Sequence, residues 1–94
     1  MYDFEFRQIT LMQQIIEDFK IGCISLNIFV QKTEALISAI DRDEFSDLTD
    51  PIVLDLEVIN AALLDEGRAP TDEENQSISN AVSNLRNILI GYVS

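Results

Sequence analysis

Apolar residues return every three or four positions along almost the whole chain, and the repeat breaks at only a few points. That spacing lines one face of an α-helix, which turns once in about 3.6 residues. Ile9, Met12, Ile15, Ile16 and Phe19 form the first such stripe and predict a helix from about Glu5 to Phe19, with Gln8, Gln13, Gln14, Glu17 and Asp18 largely outside it. Gly22 then interrupts the pattern, as a glycine just past a helix end commonly does. Ser25 is a good N-cap for a second helix running to about Ile40, whose inward face is Leu26, Phe29, Val30, Thr33, Leu36, Ile37 and Ile40.

Residues 41–50 read as an acidic loop holding at most one helical turn, with Phe45 and Leu48 tucked inward. Asp50-Pro51 has the chemistry of a helix start: the aspartate can accept from orphan amides and the proline is preset for the first turn. The third helix is therefore predicted over 51–66, ending at Gly67. Its inward stripe is Ile52, Leu56, Ile59 and Leu63, while Leu54, Val58 and Ala61 make a second stripe on nearly the opposite side. A helix apolar on two sides is either central in a bundle or reserved in part for a partner, and the central position is favoured. Thr71-Asp72-Glu73-Glu74 is a capping box that opens a fourth helix over 72–91, carrying Ile78, Val82, Leu85, Leu89 and Tyr92. Short connections between four amphipathic helices predict an all-α, single-domain antiparallel four-helix bundle.

The chain has 94 residues, of which 47% are hydrophobic, enough for one domain with its own core and too apolar for disorder despite a net charge of −11. A single cysteine gives no internal disulfide framework, in keeping with a reducing compartment. Met1 to Phe6 lacks the basic region and apolar run of a signal peptide, and no stretch has the apolar length of a membrane span. These features predict a soluble, cytoplasmic protein. Histidine is absent, which removes the commonest general base near neutral pH and the commonest zinc ligand, and the expectation is a protein that is not an enzyme and uses no cofactor.

The charge is concentrated. Between Asp41 and Glu74 lie twelve acids against Arg42 and Arg68, which accounts for −10 of the net −11. A field of that sign attracts a basic partner and repels phosphates, so nucleic acid is not the expected ligand. Asp41, Asp43, Asp47 and Asp50 invite a calcium-loop reading, but Phe45, Ser46 and Ile52 stand where such a loop needs an oxygen donor, a glycine and a bidentate glutamate. Cys23 has only Lys20 nearby to activate it and reads as a small buried hydrophobe. Asp65/Glu66 and Asp72/Glu73/Glu74 are consecutive, so they point in different directions on a helix, and the latter group suits a helix N-terminus. Phe45-Ser46-Asp47-Leu48 has the wrong order for the Asp-Ser-Leu that carries the prosthetic group of acyl carriers.

At the first turn the chain reads Phe19-Lys20-Ile21-Gly22-Cys23-Ile24-Ser25-Leu26-Asn27-Ile28-Phe29. An amphipathic helix, a short turn with Gly and an Ile-Ser pair, and a second helix opening onto Phe resemble the start of small helical bacterial immunity proteins of the colicin-D type and of contact-dependent growth inhibition. The resemblance implies an all-helical protein that neutralises a toxin's catalytic domain, often a nuclease. The charge agrees independently, because a nuclease must present a basic cleft and carboxylates can stand in for phosphates there.

The expected function is thus that of an immunity protein binding a cognate, basic toxin domain. The expected contact residues are Asp41, Asp43, Glu44, Asp47, Asp50, Asp55 and Glu57, with Asp65 and Glu66 secondary; no catalytic, cofactor or metal residue is expected. The alternatives are a non-catalytic helical adaptor or oligomerisation module, a homodimer included, that uses Leu54 and Val58, and an acidic nucleic-acid mimic that occupies basic proteins. No membrane partner is expected.

Overall fold

A handful of turn residues divides the chain into helices α1 (Asp3–Lys20), α2 (Leu26–Ile40), α3 (Asp43–Glu66) and α4 (Asp72–Val93). The structure, a computed structural model, describes residues 3–93, with side chains from Phe4 to Tyr92. Met1 and Tyr2, part of the N-terminal stretch discussed above, and Ser94 lie outside the described residues.

After α1 the chain closes a Schellman turn: the amide of Cys23 donates to the carbonyl of Asp18 at 2.8 Å and that of Gly22 to Phe19 at 3.1 Å. This turn needs a left-handed residue, and Gly22 supplies it with φ 83°. The side-chain oxygen of Ser25 then accepts from the amide of Ile28 at 3.2 Å and caps α2. Gly67, with φ 59°, ends α3, and the amide of Arg68 donates back to Leu63 at 3.2 Å. At the start of α4 both halves of the capping box form: Glu74 N donates to Thr71 Oγ1 at 3.1 Å, and Thr71 N donates to Glu74 Oε1 at 2.9 Å.

The third helix differs from its sequence-based bounds of 51–66. It begins at Asp43, so most of the expected 41–50 loop is helical and Asp50-Pro51 lies inside a helix instead of starting one. The connection from α2 is only Asp41 and Arg42, with Asp41 in the left-handed region at φ 50° and its amide donating to Ile37 at 3.3 Å. Asp tolerates that conformation better than most residues. The first turns of α3 are held by burial: Phe45 and Thr49 are fully buried, and the Thr49 hydroxyl donates to the Phe45 carbonyl at 2.9 Å. Pro51 offers no amide to the carbonyl of Asp47. Both residues are exposed, so water can satisfy that carbonyl. Leu48, expected inside, is 51% exposed.

Consecutive helices pack side by side, and α1 closes the ring against α4. Helices α1 and α3 lie diagonally opposite one another, as do α2 and α4. The bundle is antiparallel: Phe19 at the end of α1 stacks on Phe29 near the start of α2, with ring centroids 4.7 Å apart, and Phe45 at the start of α3 meets Tyr92 at the end of α4 edge-on at 5.1 Å. Ile9, Met12, Ile16, Phe29, Ile37, Phe45, Val53, Leu56, Leu85 and Leu89 fill the centre. In such a ring no helix is central. The second stripe of α3 accordingly faces outward, with Leu54 57% and Val58 63% exposed and Ala61 exposed beside them. Cys23, expected to be buried, is also exposed, in the turn between α1 and α2.

Candidate functional site

Helical spacing decides which carboxylates of the acidic window can act together. On α3, Asp47, Asp50, Leu54 and Glu57 recur at intervals of three and four and share one side. On α2, Glu34 and Ser38 are one turn apart and face the same seam. The result is an open groove of about 660 Å³ between α2 and α3, lined by Glu34, Ile37, Ser38, Asp47, Asp50, Pro51, Val53, Leu54 and Glu57. Farther along the seam Asn60 Nδ2 donates to Asn27 Oδ1 at 2.9 Å, a second polar crossing between the two helices.

Glu34 has no counterpart in the sequence-based site. Its carboxyl is pushed up from an ordinary 4.5 to about 7, chiefly by a hydrogen bond with the Glu57 side chain, then by burial, then by the negative charge of Glu57. Two carboxyls held together without a cation favour keeping one proton between them. Asp47 and Asp50 line the same groove, so there too the neighbours are acids.

The other acids divide by position. Asp41 serves as the left-handed cap of α2, and Asp43 and Glu44 lie in the first turn of α3, where the helix dipole favours negative charge. Asp55 and Asp65 are exposed but do not line the groove. Glu66 belongs to a different arrangement at the α3–α4 corner. There Arg68 donates through Nε to Glu66, and through Nη1 and Nη2 to the two carboxylate oxygens of Glu74 at 2.6 and 3.0 Å. Glu74 is held down at about 2, first by Arg68 and then by the backbone of Thr71. Arg42 is engaged as well, its Nε lying 2.7 Å from Glu5 Oε2. Both arginines of the acidic window are therefore ion-paired, whereas Asp47, Asp50, Asp55, Glu57 and Asp65 form no ion pair among the described residues.

Of the nine expected contact residues, the groove gathers Asp47, Asp50 and Glu57. The signal for Glu34 was its place on α2 beside the buried Thr33, at the edge of the inward stripe. Among the described residues no group of three or more potential ligands is arranged to hold a metal ion. No helix of the described residues is long and apolar enough to cross a membrane.

Fold and site together define a small all-α four-helix bundle with an acidic, partly apolar groove along one seam. Neither protein-family models, nor curated proteins, nor solved structures give a match to the chain.

Proposed function

We propose that this chain is an immunity protein: a non-catalytic, cytoplasmic inhibitor that binds a cognate bacterial toxin domain of the nuclease type and covers its basic substrate-holding surface. The observation that carries this reading is the segregation of charge. The window's two arginines are engaged by Glu5, Glu66 and Glu74, and the carboxylates along the outer side of α3 are left without cations. Such a surface complements a cleft built to hold phosphates, because arginine and lysine bind carboxylates and phosphates through the same charge-assisted hydrogen bonds. The resemblance of the first turn to colicin-D-type immunity proteins supports the same class.

The test is the salt dependence of binding to a purified toxin domain. Association should slow by about tenfold or more between low and high salt. Neutralising Asp47, Asp50 and Glu57 together should slow it similarly. A flat salt response with unchanged binding by the triple variant would sink the electrostatic mechanism.

A second reading, a helical adaptor or self-associating module, is favoured by the exposure of Leu54, Val58 and Leu64, the last at 64%. In that case Leu54→Glu or Val58→Glu abolishes association while carboxylate changes do little.

A further inference from the structure

On the outer side of α3, Asp47, Asp50 and Glu57 border a strip made by Pro51, Leu54, Val58 and Ala61, all exposed. A partner offering only cations would leave that strip in water, and a purely apolar partner would strip solvent from the carboxylates without replacing it. The complement must carry both. Beside the strip, Glu34 of α2 and Glu57 of α3 line the groove from its two sides, with no arginine or lysine lining it.

We propose that the α2–α3 groove takes a basic amphipathic segment of the protein partner, with one arginine or lysine entering between Glu34 and Glu57 and apolar side chains seated on Leu54 and Val58. This rests on the reading of the chain as a binder of a basic partner and names the surface and the chemistry it uses. The entering cation replaces the proton that Glu34 otherwise retains near neutrality. The charged group that acts on Glu34 is Glu57 of α3, and Asp47 and Asp50 of α3 line the same groove; Lys32, also on α2, borders the groove between α1 and α2 instead. Neither α1 nor α4 contributes a lining residue.

The test uses the full chain and two synthetic helical peptides of equal positive charge, one with leucines between its arginines and one with serines in their place. In isotope-labelled protein the leucine peptide should shift amides along the seam, at Glu34, Ser38, Asp47, Leu54 and Glu57, and the serine peptide should bind roughly tenfold more weakly. Calorimetry near pH 7 in buffers of different ionisation enthalpy should register release of roughly half a proton for the wild type and none for Glu34→Gln. Leu54→Ser combined with Val58→Ser, both at exposed positions, should weaken the leucine peptide roughly tenfold while the free protein keeps its folded spectrum. Equal binding of both peptides, shifts centred away from the seam, or absence of proton release would overturn the proposal. The peptides require no toxin, so the two readings fail separately. A groove that takes the leucine peptide in a protein that binds no toxin domain sinks only the immunity function; a toxin domain bound on another face sinks only the groove.

Discussion

Two carboxyls on this bundle, Glu34 and Glu74, have the same side-chain chemistry and opposite shifts in proton affinity. At the α3–α4 corner, Arg68 grips Glu74 with two parallel hydrogen bonds and Thr71 closes the cap, so Glu74 is held at about 2. Across the α2–α3 seam, Glu34 meets another acid, Glu57, and rises to about 7. The corner's charge is used within the fold, where it ends one helix and begins the next. The seam's carboxylates have no cation to meet them among the described residues. Acid count along the sequence does not separate the two; the distribution of the arginines does.

The largest expected effect concerns the segment that carries Asp47 and Asp50 to the seam. If α3 starts at Asp43 because Phe45 is fully buried, Phe45→Ala should destabilise the protein by about 3–5 kcal/mol in denaturant unfolding. A loss below about 1 kcal/mol would mean that 41–50 is a surface loop and that the groove is not built as described. Next in size is Pro51→Ala. An exposed proline inside a helix is unfavourable, so its removal should stabilise the protein by about 1–3 kcal/mol and raise its helicity by circular dichroism. At the corner, Thr71→Ala removes the acceptor for the amide of Glu74 and should cost about 1 kcal/mol.

The smallest effects are in pH dependence, where the two carboxyls should diverge in sign. Glu34 binds its proton more tightly in the folded than in the unfolded chain. Its contribution to stability is therefore fully present below 4.5 and is lost as pH rises through about 7. Glu74 binds its proton less tightly when folded, so its contribution is present above 4.5 and is lost as pH falls through about 2. In melting curves against pH, Glu34→Gln should flatten the decline between 4.5 and 7, and Glu74→Gln should flatten the decline on the acid side. Identical profiles for the two variants would erase the distinction between seam and corner.

Much of the fold was legible because its signals are local. The stripes of α1, α2 and α4, the cap at Ser25, the left-handed glycines and the reciprocal box of Thr71 and Glu74 each involve residues within a turn or two of one another. The start of α3 was obscured by two true local preferences, the capping chemistry of Asp50 and the preset dihedral of Pro51, which here yield to burial of Phe45 and Thr49. A continuous stripe of Phe45, Thr49, Ile52, Val53 and Leu56 runs through the proline and was the signal that could have extended the helix. The outward stripe at Leu54 and Val58 was visible, but its exposure depends on the ring arrangement, which no single helix encodes. The place of Glu34 at the edge of the α2 stripe was visible too, but its pairing with Glu57 joins two helices whose relative rotation is set by the whole core.

That two carboxyls meet without a cation in the α2–α3 seam is tested most directly at Glu34 itself, by following its side-chain carboxyl carbon through a pH titration in the wild type and in Glu57→Gln. The expected midpoint in the wild type is about 7, falling towards the ordinary 4.5 once Glu57 is neutralised. A wild-type midpoint at the ordinary 4.5 would contradict it.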